Sequence, residues 1–108
     1  MLYELRTYEA MPGKLPALNK RFAEVTLGLF QQYAMEVVGF WTNDIGGYSN
    51  ELVYLMRFAD MAERERKWAA FGADPAWQQA RAASEVDGPL TVRIRAQFLR
   101  PTSYSPAQ

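Results

Sequence analysis

Along this chain the apolar residues change their spacing from a two-residue repeat to a three-and-four-residue repeat and back, twice over, and that order admits few folds. Tyr3-Glu4-Leu5-Arg6-Thr7-Tyr8 is aromatic-rich and alternating, which predicts a strand with Leu2, Glu4, Arg6 and Tyr8 on one face and Tyr3, Leu5 and Thr7 on the other. After Met11-Pro12-Gly13-Lys14, the stripe Leu15, Leu18, Phe22, Val25 and Leu29 predicts an amphipathic helix. Val25-Thr26 and Gly28 weaken its far end, where a bend or an early finish is expected before Gln31-Gln32-Tyr33.

Val37–Asn43 and Glu51–Phe58 are β-rich runs joined by Asp44-Ile45-Gly46-Gly47-Tyr48-Ser49-Asn50, a segment rich in turn formers, so they read as a hairpin. Asp60 with Glu63 has the form of a capping box and opens a second helix, which carries a Glu63–Lys67 pair and an apolar end of Trp68 and Phe71. Gly72 is expected to stop that helix. Asp74-Pro75 then restarts one in the favoured order of cap and first-turn proline, with Trp77, Ala80 and Ser84 on one side. Leu90–Leu99 alternates strictly, Val92, Ile94, Ala96 and Phe98 against Arg93, Arg95 and Gln97, until Arg100-Pro101 ends the strand.

The order β-α-β-β-α-β, with a split second helix, predicts an α+β ferredoxin-like domain over residues 1–108 with one four-stranded antiparallel sheet. Helices can cover only one face of such a sheet. The other is expected to carry Glu4, Arg6, Tyr8, Arg93, Arg95 and Gln97 with some apolar residues, a mixed surface that suits two sheets packing face to face in a homodimer.

Composition then removes several chemistries. The 108 residues include no histidine and no cysteine, so imidazole bases, thiolates, disulfides and His or Cys metal sites are excluded, and neither a metal nor another cofactor is expected. Twelve basic residues balance twelve acidic ones, which argues against a nucleic-acid surface. No signal peptide is apparent and no apolar run approaches the ~20 residues of a membrane span, so a cytoplasmic location is the default.

The motifs Tyr3-Glu4-Leu5-Arg6-Thr7-Tyr8, Pro12-Gly13-Lys14, Gly39-Phe40-Trp41-Thr42, Asp44-Ile45-Gly46, Asp74-Pro75-Ala76-Trp77 and Leu99-Arg100-Pro101-Thr102 with Ser105-Pro106, taken in this order, resemble those of the NIPSNAP family within the dimeric α-β barrel superfamily. The resemblance covers nearly the whole chain. It implies a homodimer with helices outside a barrel of two sheets, and a small cavity between sheet and helices in each subunit. It does not supply a reaction, although related barrels include cofactor-independent oxygenases, haem-degrading oxygenases and lactone isomerases. Family members often carry a histidine shortly before the second strand; Gln31-Gln32-Tyr33-Ala34-Met35-Glu36 has none, which leaves haem degradation through an axial histidine without its ligand.

Two residue sets could carry chemistry. Glu4, Arg6, Tyr8, Arg93 and Arg95 form either an anion site or an ion-pair network at the dimer interface, with the interface reading preferred. Tyr3, Thr7, Phe40, Thr42, Tyr54, Trp68, Phe71 and Trp77 could line a small-molecule pocket or simply fill the core. The function expected is small-molecule binding or interaction of NIPSNAP type. The alternative is a cofactor-independent oxygenase or isomerase that holds an aromatic or enolic substrate through Asn43, Tyr54 or an arginine.

Overall fold

The computed structural model describes residues 1–108 and has the element order β1 (Leu2–Ala10), α1 (Leu15–Arg21), a π-helical segment (Phe22–Thr26), α2 (Leu27–Gln32), β2 (Glu36–Thr42), β3 (Glu51–Phe58), α3 (Met61–Ala73), α4 (Pro75–Ser84) and β4 (Thr91–Leu99). The strands form one antiparallel sheet in the order β2-β3-β1-β4, the ferredoxin-like arrangement. No helix is long and apolar enough to cross a membrane.

The first helix does not finish at Val25-Thr26. It continues to Gln32 through the π-helical turn, and Thr26 Oγ1 donates to the Arg21 carbonyl, five residues back. The β-branched pair is therefore absorbed by local widening of the helix, a device often found at functional sites. Gly72 does not stop α3 either. The break comes at Asp74, which is extended (ψ 124°) because the Pro75 ring disfavours helical backbone in the residue before it. Both predicted caps form: Asp60 accepts from the Glu63 amide at 2.8 Å and Asp74 from the Ala76 amide at 2.7 Å. The Glu63 carboxylate reaches back to the Ala59 amide, one residue beyond the usual capping-box partner.

Register decides the two sheet faces. Arg6 pairs with Tyr54 on one side and Ala96 on the other, and Tyr8 with Leu52 and Ile94; residues directly opposite share a face. Glu4, Arg6 and Tyr8 thus lie with Leu52, Tyr54, Met56, Ala96 and Phe98 on the helix-bearing face, of which the β4 edge stays uncovered. Leu5, Thr7, Glu9, Val53, Leu55, Arg93, Arg95 and Gln97 occupy the opposite, helix-free face. The expectation that Glu4, Arg6 and Tyr8 share a face with Arg93, Arg95 and Gln97 is overturned: each strand's alternation was correct, but their relative phase is set by pairing.

A register shift between Glu9 and Ala10 also pairs Ala10 with Thr91, so Thr91 rather than Val92 joins Ile94 on the cavity side. The core lies between β1–β3 and the helices, centred on Leu18, Phe22, Phe30, Tyr54, Met56, Phe58 and Phe71. β4 stays exposed from Val92 to Leu99, because the helices do not extend over that edge.

Candidate functional site

Glu4 is wholly buried, and alternation in β1 places it next to Arg6 on the helix side. One turn of α3 supplies the rest of its surroundings, since Arg64 and Trp68, four apart, project from one helix face. The carboxylate accepts from Arg6 Nη1 at 2.8 Å, from Arg64 Nε and Nη2 at 3.1 and 3.0 Å, and from Trp68 Nε1 at 3.0 Å. Burial alone would raise its pKa, but these donors outweigh it and hold the carboxyl below its ordinary value. Arg6 spends its other donors on Tyr54 Oη at 2.9 Å and Tyr8 Oη at 3.2 Å, and its guanidinium stacks 4.4 Å from the Trp68 ring. Burial would lower the Arg6 pKa; the two tyrosines and Glu4 more than compensate and keep it above the ordinary value. Tyr54, buried against Tyr8, has its hydroxyl pushed well above the usual tyrosine range.

A second guanidinium stands under different conditions. Arg21 ends α1 and is nine-tenths buried. Its Nη1 donates to Ser84 Oγ at 3.1 Å and stands 3.8 Å from a Glu85 oxygen, beyond hydrogen-bond range, while Nε is buried with no partner. The ring of Trp77 lies 5.1 Å from its central carbon. Burial pushes the Arg21 pKa down, opposed by the Glu85 charge.

Between these two guanidiniums is a cavity of about 240 Å³. Phe22, Phe30, Trp68, Phe71 and Trp77 form its apolar walls. Arg6, Tyr8, Thr26 and Thr91 supply polar atoms within, and Arg81 and Glu85 stand with Arg21 at the α4 side. The π-helical turn matters here: one extra residue in the turn keeps Arg21, Phe22 and Thr26 all on the cavity side. Arg81, two-thirds exposed and bonded to Glu85 at 3.1 Å, marks the mouth, and the half-exposed Ile94 of β4 also lines the cavity.

Of the residues expected to line a pocket, Trp68, Phe71 and Trp77 line this cavity. Tyr54 lies beneath it, hydrogen-bonded to Tyr8. Phe40 lines a second apolar cavity of about 240 Å³ on the far side of Phe22, and Thr42 lies exposed near the end of β2. Tyr3 and Thr7 are on the helix-free face, where the Tyr3 hydroxyl donates to the Gln108 carbonyl. Of the proposed anion or interface residues, Glu4, Arg6 and Tyr8 cluster under the helices. Arg93 and Arg95 lie on the other face near Glu9 (3.9 Å) and Glu51 (2.9 Å).

Sequence reasoning missed Arg21, Arg64, Thr26, Arg81 and Glu85. A signal was present for some of them: Trp77, Arg81 and Glu85 recur every four residues, and Arg21 flanks the apolar stripe, three after Leu18 and four before Val25.

Comparisons with known proteins place this geometry in a family. The chain is 29% identical over 77 residues, 71% of its length, to protein NipSnap homolog 3B of Mus musculus, and it spans only 30% of that relative. It superposes with a TM-score of 0.84 on an uncharacterised NIPSNAP domain protein of Burkholderia xenovorans, at 31% identity, covering 98% of this chain and 99% of the other. The fold extends further: an antibiotic biosynthesis monooxygenase, only 9% identical, aligns with a TM-score of 0.62 over 94% of this chain and 99% of its own, so the two share the ferredoxin-like α+β architecture. With the NIPSNAP family model matching residues 3–106, nearly the whole of the sheet, helices and cavity just described, the chain belongs to the NIPSNAP family.

Proposed function

We propose that this chain is a homodimeric small-molecule-binding protein that holds one ligand per subunit in the cavity between sheet and helices. The cavity carries the reading, because it combines aromatic walls with a few convergent polar groups, the composition that small-molecule sites share. Binding is favoured over turnover because the acid–base groups nearby are already committed. Glu4 is neutralised by two arginines, Tyr54 is pushed toward its protonated form, and Glu85 accepts from Arg81 Nε and the Leu90 amide. A general base needs a free acceptor within reach of the substrate proton.

The dimer is supported by the helix-free face, where Leu5, Val53 and Leu55 are only half-buried and Trp41 is 53% exposed. Sedimentation equilibrium at micromolar concentration should give twice the 12.3 kDa chain mass; monomer alone would overturn the dimer. Gly72 tests the cavity, since it lines the cavity at an exposed position and a Cβ added there meets nothing within 4 Å. Gly72→Trp should leave the fold intact and occlude the cavity. Small aromatic compounds that raise the Tm of the parent should lose that effect in the variant, and retention of the full shift would place binding elsewhere.

A further inference from the structure

The cavity's two ends differ in what they leave unsatisfied, and that difference carries a statement about ligand class, resting on the reading of the cavity as a binding site. At the β1 end every charged group has found partners. At the α1–α4 end Arg21 has not: its Nη1 is turned to Ser84, its Nε meets no acceptor, and the nearest carboxylate oxygen is 3.8 Å away. A nine-tenths-buried guanidinium with an unpaired N–H costs free energy unless something accepts from it. The charge count points the same way. Arg6, Arg21, Arg64 and Arg81 gather around the cavity and the Glu4 cluster behind it, and Glu4, Glu65 and Glu85 are the carboxylates they meet. One positive charge is left over, and Arg21 is the buried guanidinium with no carboxylate within hydrogen-bond distance.

We infer that the cavity binds a small planar monocarboxylate, aromatic or conjugated, with its carboxylate on the Arg21 guanidinium and its ring among Phe30, Trp68, Phe71 and Trp77. A planar guanidinium matches a carboxylate with two parallel hydrogen bonds, and the Trp77 ring, 5.1 Å from the Arg21 central carbon, packs against it. Arg81 at the mouth adds a second, screened positive charge that draws the anion in. A cavity of about 240 Å³ limits the ligand to roughly one ring and its carboxylate, too small for a nucleotide or a lipid.

Benzoate and benzamide differ by a charge and hardly in shape, so titration calorimetry with each separates the two readings. The parent protein should bind benzoate at least tenfold more tightly than benzamide. Arg21→Gln should erase that preference while keeping benzamide binding, and Arg21→Lys, which keeps the charge but loses the planar fork, should recover only part of it. Arg81→Gln, at an exposed position, should reduce benzoate affinity about two- to fivefold through the lost long-range attraction. Equal binding of the two probes by the parent overturns the carboxylate assignment and leaves the cavity as a site for neutral ligands. Failure of both to bind overturns the assignment and the cavity reading together. The parent's ratio decides the matter even if Arg21→Gln folds poorly.

Discussion

Arg6 and Arg21 are both buried guanidiniums stacked on indole rings, 4.4 Å from Trp68 and 5.1 Å from Trp77, yet they belong to opposite kinds of structure. Arg6 is part of a closed network in which Glu4, Tyr8 and Tyr54 take up its donors, and Glu4 is itself held by Arg64 and Trp68. Arg21 has one good hydrogen bond and an orphaned Nε. A satisfied network specifies the fold and offers a ligand little. An unsatisfied cation is a cost in the free protein that an anion can relieve.

The contrast can be broken first at its closed end. Glu4→Ala strips Arg6 and Arg64 of their shared counter-charge and should destabilise the subunit by about 3–5 kcal/mol in urea denaturation. The loss should appear in the monomer's own unfolding, because Glu4 lies under α3 rather than on the helix-free face where assembly was expected to use it. An unchanged midpoint would mean that solvent reaches the cluster.

Phe22 comes next, because its ring separates the two cavities and packs 5.3–5.7 Å from Tyr8, Tyr54 and Phe40. Phe22→Ala should cost on the order of 3 kcal/mol or slightly more and merge the cavities, which a broadened preference for larger ligands would report. Retained stability together with the parent's ligand size range would show that the site collapses instead.

At the open end the expected effect is small. Arg21→Met keeps the volume beside Trp77 and removes a poorly paired charge, so stability should change by under about 1 kcal/mol in either direction. A loss as large as that of Glu4→Ala would make Arg21 structural and erase the distinction.

Acidification sharpens the comparison least in magnitude but most in sign. The Glu4 pKa is lowered in the folded protein, so its contribution is complete above the unfolded value of about 4.3 and is lost as pH falls through the folded one. Glu63 and Asp74 are shifted the same way, by Lys67 and Tyr33 respectively. The test is therefore the difference between parent and Glu4→Gln, which should shrink as pH drops below about 4. A difference independent of pH would remove the charge from the explanation.

Much of this architecture is legible in residue spacing. The strands, the stripe from Leu15 to Leu29, the caps at Asp60 and Asp74 and the strand-order family all follow from local periodicity and from backbone groups that need partners near their own ends. Those are short-range demands, and a sequence states them directly. That Trp68, Phe71 and Trp77 face the interior was legible for the same reason, since large rings on one helical side must face something, but lining a cavity and filling the core look alike in sequence.

What remained hidden depends on pairing between distant segments. Alternation says that Glu4, Arg6 and Tyr8 share a face and that Arg93 and Arg95 do, but only the alignment of Tyr8 with Ile94 sets those faces apart. Arg64 stands 60 residues from Glu4 and Ser84 stands 63 from Arg21, so no local pattern could assign either partnership. The π-helical turn belongs with them, since a β-branched pair warns of strain in the helix, but packing against the sheet decides whether it breaks, bends or widens. Sequence by itself thus determined the elements, the ferredoxin-like order and the family motifs. Tertiary structure decided which charges were closed off and which was left open, because a buried charge is defined by every group around it and most of those groups are far away along the chain.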